Sequence, residues 1–353
     1  MSLRDRLKTL IAETGPLSVA QYMTACLYDP QGGYYATRPA LGAHGDFITA
    51  PLVSQMFGEL IGVWAVAAWE QMGRPARLRL VEMGPGDGTL MSDLLRAVRR
   101  APEFRKAADI WLVEVSEPLK ARQAEQLGAG VRWAGALHEV PDGAPLLLIA
   151  NELLDCLPAR QFVRTATGWA EQVIGLDAEG ELAFGLTATP AASLLPDAPP
   201  GAVFEQSAAQ AALGAELGRR VVADGGAALL IDYGRAEPGF GDTLQALHRH
   251  EKVDPLETPG EADLTVHADF PAVLEAARRQ GAQTAILTQA SFLAAMGIGA
   301  RTEALLRASP GRSGSLGRQL HRLVGAEEMG ELFKAACIHS PGWTPPGFED
   351  CDP

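Results

Sequence analysis

The sequence predicts an α/β protein whose centre is a largely parallel β-sheet with helices on both faces. Short apolar runs typical of strands alternate with helix-like stretches from about residue 77 onward, and this alternation is typical of parallel sheets. In "VEMGPGDGTL", residues 81–90, a glycine-rich loop joins one apolar run directly to a helical pattern. With 353 residues, 47% of them hydrophobic, the chain can bury a sizeable core.

The first 75 residues read as short helices and glycine-rich turns, and we predict that residues 1–75 form an N-terminal helical cap. Leu3, Leu7, Leu10 and Ile11 share one helical face there. A core is predicted over residues 76–290. The strand candidates, in chain order and including one beyond residue 330, are "RLRLVEM", "DIWLVEV", "VRWAG", "PLLLIAN", "AALLIDY", "AQTAILT" and "FKAACIH".

Three further segments interrupt or follow the alternation. Period-2 stretches separated by "TG" and "AEG" predict an antiparallel β-meander inserted at about 160–187. Residues 291–330 have a helical pattern and predict a helical insertion, and 331–340 hold the last core strand. The remainder, 341–353, is predicted to be a loose tail.

Composition excludes several classes of protein. The net charge of −13 and the pI of about 5.0 disfavour nucleic acid and anionic membranes as partners and favour a basic protein substrate. No cysteine and histidine spacing fits a metal site. The longest apolar run, residues 60–69, is shorter than the roughly 20 residues that span a bilayer. Because the first residues mix acidic and basic side chains, we predict a cytoplasmic protein without membrane insertion.

The glycine loop is typical of nucleotide-binding sites, since glycine lets backbone amides approach a ligand closely. A dinucleotide would require the spacing GxGxxG, but here the glycines are one residue closer. Glu82 and Asp87 would also lie near the pyrophosphate, where carboxylates are unfavourable. A tight strand–helix turn without a ligand is the remaining alternative.

S-adenosylmethionine suits this loop better because it carries a cationic amino group and a sulfonium instead of phosphates. Glu82 at the end of the first strand can meet that positive charge, and Gly84, Gly86 and Gly88 form the loop. Glu114 ends the next strand, where an acid can accept hydrogen bonds from both ribose hydroxyls. Together these residues predict S-adenosylmethionine as the cofactor.

Ordered stretches along nearly the whole chain carry a family resemblance. The most specific are "GGYY", "GDFITAPLVSQMFGE", "VEMGPGDGTLMSDLLR", "IANELLDCLPARQF", "ALLIDYG" and "TQASFLAAMGI". With these motifs the chain resembles the MidA family of class I S-adenosylmethionine-dependent methyltransferases. Small departures are Asp87, where the family often has Arg or Ser, and the order of Ala and Val in "TVHADF".

The resemblance implies a seven-stranded, Rossmann-like methyltransferase sheet in which the last two strands form an antiparallel pair at one edge. It also implies methylation of a protein arginine, with a NADH dehydrogenase subunit of complex I as the substrate partner. Beyond the glycine loop, we expect Ser116 and Asn151 to contact the donor. Asp46 and Thr49 lie in "GDFITAP", which we expect either to fold over the donor or to form a simple helix-capping turn.

Acidic residues at the ends of later strands are the candidates for catalysis. A guanidinium offers five donors in a rigid fork, so carboxylates are needed to grip and orient it. Glu152 and Asp155 in "NELLDCLP" follow the fourth strand and are expected to form this clamp, unless Asp155 is only a turn residue. Asp232 ends the fifth strand and is expected to line the acceptor pocket. His267 is the candidate proton acceptor, with a structural role beside Asp269 as the alternative.

Two other functions remain open from the residues. One is a methyltransferase for a small molecule or another protein side chain, although the large insertions favour a macromolecular acceptor. The other is a non-catalytic assembly factor that binds the donor for stability, against which the intact Glu82, Glu114 and Glu152 argue.

Overall fold

The computed structural model describes residues 1–37, 49–189, 193, 195–249, 251–349 and 351. The helices are α1 (Leu3–Thr14), α2 (Val19–Tyr28), α3 (Tyr34–Thr37), α4 (Ala50–Val53), α5 (Gln55–Gln71), α6 (Thr89–Ala97), α7 (Pro102–Ala107), α8 (Glu117–Leu127), α9 (Ala208–Asp224), α10 (Phe270–Arg278), α11 (Gln289–Ala295), α12 (Ile298–Ala308), α13 (Ser313–Val324) and α14 (Met329–Leu332). The strands are β1 (Leu17–Ser18), β2 (Leu78–Met83), β3 (Ala108–Val113), β4 (Val131–Ala134), β5 (Leu146–Asn151), β6 (Arg160–Thr165), β7 (Gly168–Leu176), β8 (Leu182–Ala188), β9 (Val203–Gln206), β10 (Gly226–Arg235), β11 (Gln245–His248), β12 (Glu251–Val253), β13 (Asp263–Thr265), β14 (Ala268–Asp269), β15 (Gln283–Thr288) and β16 (Phe333–His339).

The central sheet has the strand order β15-β16-β10-β5-β2-β3-β4, and the short β14 adds to the end of β10. Its strands are parallel except for β16, which runs antiparallel to both of its neighbours. The predicted α/β fold with a seven-stranded methyltransferase sheet is therefore confirmed. The last two strands pair as expected, and β15 forms the edge while β16 lies inside it.

Alternating side chains divide the sheet between two hydrophobic cores. On β2, Leu80 points into a core shared with α5, α6 and α11, whereas Val81 points into a core shared with α9 and α10. Successive residues of a strand face opposite sides of a sheet, so a strand covered on both faces is largely apolar on both of them. This requirement explains the uninterrupted apolar runs such as "LLLIA" in β5.

Helix α5 packs on the central sheet. It therefore belongs to the core, whereas the prediction of a cap over residues 1–75 includes it in the cap. Two glycines on α5 allow α6 to approach closely. A Cβ on Gly58 would lie 2.6 Å from the Cβ of Asp93, and one on Gly62 would lie 3.0 Å from that of Ala97. The apolar composition of α5 therefore reflects burial against the sheet.

A third hydrophobic core joins the start of the chain to the inserted strands. It combines Leu3 and Leu7 of α1, Tyr22 of α2, Ile174 of β7 and Leu264 of β13. The predicted meander forms as β6, β7 and β8, and β9 and the cap strand β1 complete this second sheet. The cap and the insertion are thus built on one sheet and share one core.

Between β10 and α10 lies a small antiparallel ladder in which β11 pairs with β12 and with β13. The predicted helical insertion forms as α11 to α14. The predicted loose tail differs from the structure: Phe348 is fully buried and its ring packs on Phe292 of α11 at a centroid distance of 5.4 Å. Among the described residues no helix combines the length and apolarity needed to cross a bilayer.

Candidate active site

A cavity of about 320 Å³ lies at the carboxyl ends of β2, β3 and β5. The chain leaves β2 towards β3 on one side and returns at β5 on the other. Ligand crevices of open α/β sheets form at such a switch point, and ligand pockets start at roughly 300 Å³. The lining residues are Tyr28, Tyr35, Thr49, Pro51, Leu52, Glu82, Met83, Gly84, Pro85, Gly86, Asp87, Thr89, Leu90, Val113, Glu114, Val115, Leu119, Asn151, Glu152, Leu153, Cys156 and Leu157.

The glycine loop turns sharply from β2 into α6. Gly84, Gly86 and Gly88 have φ angles of 66°, 54° and 88°, in the left-handed region that side chains disfavour. A Cβ on Gly84 would also approach Leu153 to 3.1 Å. Gly84 and Gly86 line the cavity, whereas Gly88 forms the N-cap of α6. The loop therefore brings its backbone to the cavity wall, as the sequence predicts.

Asp87 has a structural task within this loop. Its Oδ1 accepts a hydrogen bond of 3.0 Å from the backbone N–H of Thr89, in the first turn of α6. A carboxylate at the positive end of a helix is favourable. An aspartate at position 87, where the family often has Arg or Ser, is thus compatible with the turn from the glycine loop into α6.

Glu82 is buried at the cavity wall, and its Oε2 has no hydrogen-bond partner among the described residues. Burial, and secondly the negative charge of Asp87, raises the pKa of Glu82 well above its usual range. An unpaired buried carboxyl is costly, and a cationic ligand group beside it would remove the cost. The ammonium of S-adenosylmethionine fits this requirement, whereas a pyrophosphate does not.

Glu114 stands at the end of β3, and local donors fix its orientation. Its Oε1 accepts hydrogen bonds of 2.8 Å from the backbone N–H groups of Val115 and Ser116. Its Oε2 accepts a longer hydrogen bond of 3.2 Å from the Gln123 amide, and this oxygen can accept a further hydrogen bond from a ligand. Burial raises the pKa of Glu114. Ser116 is buried and does not line the cavity. Its contribution is the backbone N–H that binds Glu114.

Gln123 on α8 was not identified from the sequence, although it holds the donor side together. It is fully buried, and its amide donates 2.7 Å to the carbonyl oxygen of Gly86 as well as to Glu114. Its Oε1 accepts 2.8 Å from the indole N–H of Trp133. Most residues of α8 are polar, so the sequence gives little indication that Gln123 is buried. The one signal is its position four residues after Leu119, which places both side chains on the same face of the helix.

Glu152 reaches the cavity from the residue after β5. Its backbone φ of 53° is left-handed, which is uncommon for a side chain of this size. Its Oε1 accepts hydrogen bonds from Ala50 N–H at 3.1 Å and from the Asn151 amide at 2.9 Å. Desolvation, offset in part by the Ala50 hydrogen bond, raises the pKa of Glu152 to about 7. The second oxygen has no donor within the described chain.

Asp155 and Asp232 lie behind Glu152 and outside the cavity lining. Asp232 accepts hydrogen bonds from the backbone N–H groups of Leu154 at 2.8 Å, Asp155 at 3.2 Å and Tyr233 at 2.8 Å. Burial raises the pKa of Asp155 to about 6 and that of Asp232 well above its usual range. The expectation that Asp232 lines the acceptor pocket is corrected: its backbone contacts make it a residue that positions the loop after β5.

His267 also differs from the expectation. Its ring packs edge-on against Tyr233 at a centroid distance of 5.5 Å and does not line the cavity. Burial lowers its pKa. The expected partner Asp269 instead caps α10 by accepting a hydrogen bond from Ala272 N–H at 3.3 Å.

The cap supplies one wall of the cavity. The Tyr28 hydroxyl donates 2.9 Å to the carbonyl of Cys156, and the Tyr35 hydroxyl donates 2.8 Å to Asp263. The two rings lie 5.9 Å apart. Thr49 lines the cavity at the N-cap of α4, as expected of a donor contact, whereas Asp46 lies outside the described residues.

A Rossmann-like sheet, a glycine loop at its switch point and an unpaired acid in the cavity define a class I S-adenosylmethionine-binding protein. The sequence profile of an S-adenosyl-L-methionine-dependent methyltransferase family matches residues 60–288. The chain belongs to this family, and it is an S-adenosylmethionine-dependent methyltransferase.

Similar proteins and a similar solved structure support the assignment to this methyltransferase family. A Danio rerio protein named protein arginine methyltransferase NDUFAF7, mitochondrial, is 36% identical and covers 94% of this chain and 86% of its own. The Homo sapiens protein of the same name is 36% identical and covers 92% and 80%. A Burkholderia thailandensis structure with bound S-adenosyl-homocysteine superposes with a TM-score of 0.88 at 29% identity, covering 99% of this chain and 95% of that one. The predicted cofactor is confirmed.

The predicted cytoplasmic location is wrong by the same comparison. Relatives that cover more than nine tenths of this chain are named mitochondrial. The prediction relied on acidic residues near the start, but these belong to α1, whose Leu3, Leu7 and Ile11 pack into a core. Their charge pattern is therefore that of a folded amphipathic helix and carries no information on targeting.

Proposed function

We propose that this chain transfers a methyl group from S-adenosylmethionine to an arginine side chain of a protein. The observation that carries the proposal is the position of Glu152, whose carboxyl group lies in the same cavity as Glu82 and the glycine loop. The names of its relatives, protein arginine methyltransferases, support the same acceptor.

Bound S-adenosylmethionine supplies a methyl group on a positively charged sulfur, and the protein mainly provides proximity and alignment. On the donor side, Glu82 offers a carboxyl oxygen without a partner and Gln123 holds the loop carbonyl of Gly86. We propose that the donor is bound by the two cavity-lining glycines of the loop and by four side chains: Glu82, Glu114, Asn151 and Thr49.

On the acceptor side, we propose that the second carboxyl oxygen of Glu152 accepts hydrogen bonds from the guanidinium. The Ala50 N–H and the Asn151 amide hold the first oxygen and so fix the direction of the other. An approaching guanidinium is always charged and lowers the pKa of Glu152 from about 7, so that the clamp ionises as substrate binds.

Asp155 and Asp232 act on the acceptor through Glu152. The three backbone amides that Asp232 binds belong to the loop after β5 and to the end of β10. We propose that this buried pair holds the loop, and with it Glu152, in the left-handed conformation that points its carboxyl into the cavity.

The cap and the β-insertion are proposed to form the face that receives the protein substrate. Their shared core contains Tyr28 and Tyr35 among its packed residues, and both side chains line the cavity. By the family resemblance, we propose a NADH dehydrogenase subunit as this substrate. A protein acceptor needs a wall of this kind because a folded partner cannot enter the cavity itself.

The test incubates the purified protein and labelled S-adenosylmethionine with an extract from cells that lack it. Proteins are then separated and hydrolysed. A labelled protein band that yields methylarginine is expected. Label in another residue or in small molecules would keep the methyltransferase and overturn the arginine acceptor. Donor binding without any transfer to the extract would favour an assembly factor.

A further inference from the structure

One segment of this acidic protein is strongly basic. Residues 299–324, which include most of α12 and all of α13, hold five arginines and one glutamate, without lysine or aspartate. The chain as a whole has a net charge of −13. The positive charge of this segment is therefore a local feature that the overall composition conceals.

Two of these five arginines form ion pairs within the protein, and three are available to bind a partner. Arg301 forms a 2.7 Å ion pair with the buried Glu59 of α5, and Arg307 pairs with Glu303 at 3.8 Å. Arg312, Arg318 and Arg322 are exposed and form no ion pair with the part of the chain that the structure describes. We call these three residues the basic face.

Helix stability does not account for the basic face. Arg312 is the N-cap of α13, where the helix dipole disfavours a cation. Arg318 and Arg322 are four residues apart in a helix without any acidic residue, and like charges at this spacing destabilise a helix. Only Arg322 gains from the dipole, since it lies in the last turn.

The part of α13 between Arg318 and Arg322 contacts the segment next to the cavity wall. Gln319, one turn before Arg322, accepts a hydrogen bond of 3.1 Å from Ser54 Oγ. Ser54 directly follows α4, whose Pro51 and Leu52 line the cavity. The positive charge of Arg322 also acts on the acceptor clamp, because it lowers the pKa of Glu152 against the effect of burial.

We propose that Arg312, Arg318 and Arg322 hold an acidic segment of the protein substrate next to the arginine that enters the cavity. The proposal rests on the protein-arginine activity proposed above and adds the charge of the sequence around the acceptor. It reverses the expectation from net charge, which favoured a basic substrate. Charged groups at the rim of an interface act mainly on association and on the choice of partner.

A polypeptide fits the surroundings better than a nucleic acid or a membrane. The basic face consists of three side chains on a molecule with a net charge of −13, and a net negative charge of this size disfavours the binding of long polyanions. A short acidic stretch of a protein reaches the three arginines without approaching the rest of the surface. Electrostatic selection of this kind operates within a Debye length of about 10 Å at 0.1 M salt.

The test uses two fluorescent synthetic peptides with one central arginine, flanked by a run of either aspartates or asparagines. Their affinities for the full-length protein are measured by anisotropy at low salt with S-adenosyl-homocysteine present. The wild type is expected to bind the aspartate peptide about tenfold more tightly, a preference that salt weakens. The variant R318E/R322E is expected to lose the preference.

The control R99E/R100E makes the same change of charge at two exposed residues that follow α6. Measured along the axis of this helix, they lie about 15 Å from Thr89, which lines the cavity. This control is expected to keep the preference. Equal binding of both peptides by the wild type, or an unchanged preference in R318E/R322E, would overturn the proposal. Equally tight binding of a short RNA or an anionic vesicle would overturn the choice of a polypeptide.

These measurements need no methyl transfer, so they are separable from the proposed activity. If the extract yields methylarginine while the peptides bind equally, only the basic-face proposal fails. If the aspartate preference is present while the label appears in another residue, the docking surface stands and the arginine acceptor fails.

Discussion

The donor side and the acceptor side of the cavity are built in different ways. Most of the donor side comes from one stretch of chain, residues 82–123, in which Gln123 bonds to Gly86 and to Glu114, and only Thr49 and Asn151 are proposed to join it from other segments. The acceptor side joins distant segments: Tyr28 bonds to Cys156 across 128 positions, and Ala50 bonds to Glu152 across 102.

This difference has a physical consequence. A site made largely from one contiguous stretch forms when that stretch folds, so its geometry is robust and its sequence pattern is local. The acceptor side is made from the cap and the loop after β5, so it requires distant segments to assemble, many of them in the third core. Changes on the acceptor side should therefore alter transfer selectively, and changes on the donor side should alter donor binding first.

The largest expected effect is that of Glu152→Gln. The substitution keeps the shape and the hydrogen bonds to Oε1 but removes the negative charge that holds the guanidinium. Losing one charge of a buried pair costs about 2–5 kcal/mol, so methyl transfer should fall by about 10²–10³-fold. Single-turnover methylation with labelled donor measures this loss.

Calorimetry with S-adenosyl-homocysteine serves as the control for this variant. Donor affinity should stay within about threefold of the wild type, because the donor is bound by the other side of the cavity. Normal turnover of Glu152→Gln would refute the clamp, and a parallel loss of donor affinity would refute the separation of the two sides.

The pH dependence of transfer should reflect the same carboxyl group. Since the folded-state pKa of Glu152 is raised to about 7, only about a tenth of it is ionised at pH 6. The value of kcat/KM should therefore rise about tenfold between pH 6 and a plateau above pH 8. The residual activity of Glu152→Gln should lack this rise.

Folding stability should change in the opposite direction. A carboxyl whose pKa is raised in the folded state contributes stability that is complete below its unfolded value, about 4.5, and is lost as the pH rises through 7. Urea unfolding between pH 4 and pH 8 should show a shallower decline for Glu152→Gln. A stability that increases over this range would contradict the burial of this group.

The variant Gln123→Leu tests how the donor side of the cavity is held together. It removes the hydrogen bonds to Gly86, Glu114 and Trp133 and should weaken S-adenosyl-homocysteine binding about tenfold, since a hydrogen bond to a charged group is worth about 1.5–3 kcal/mol. Gln126→Leu, on the exposed face of the same helix, is the matched control and should bind normally. Equal affinities for the two variants would refute the role of Gln123.

Sequence patterns predicted the parts of the molecule that depend on local rules. The strand–loop–helix unit is recognisable because Gly84 and Gly86 have left-handed φ angles and β2, which is buried on both faces, is largely apolar. Glu82 and Glu114 were found because strand ends in parallel sheets meet at one edge. These features were therefore visible in a single sequence.

Other features depend on tertiary contacts that no local pattern contains. Asp232 and Glu152 both follow strands, yet only the structure shows that backbone amides surround Asp232 while Glu152 faces the cavity. The burial of Phe348 depends on α11, more than fifty positions earlier in the chain. Gln123 is polar like its exposed neighbours, and the two buried positions of α8, Leu119 and Gln123, are too few to produce an apolar periodicity.

The smallest expected effect comes from Tyr28→Phe, which loses only the hydroxyl that donates to the Cys156 carbonyl. One such hydrogen bond is worth about 1 kcal/mol, so the variant should be slightly less stable, and transfer should fall about two- to fivefold as the wall loosens. Tyr22→Phe on the same helix loses an equivalent 2.7 Å bond to Pro255 away from the cavity. Because both variants lose similar stability, only a difference in transfer between them reports on the cavity wall. Equal transfer by the two would show that the acceptor side does not depend on this long-range contact.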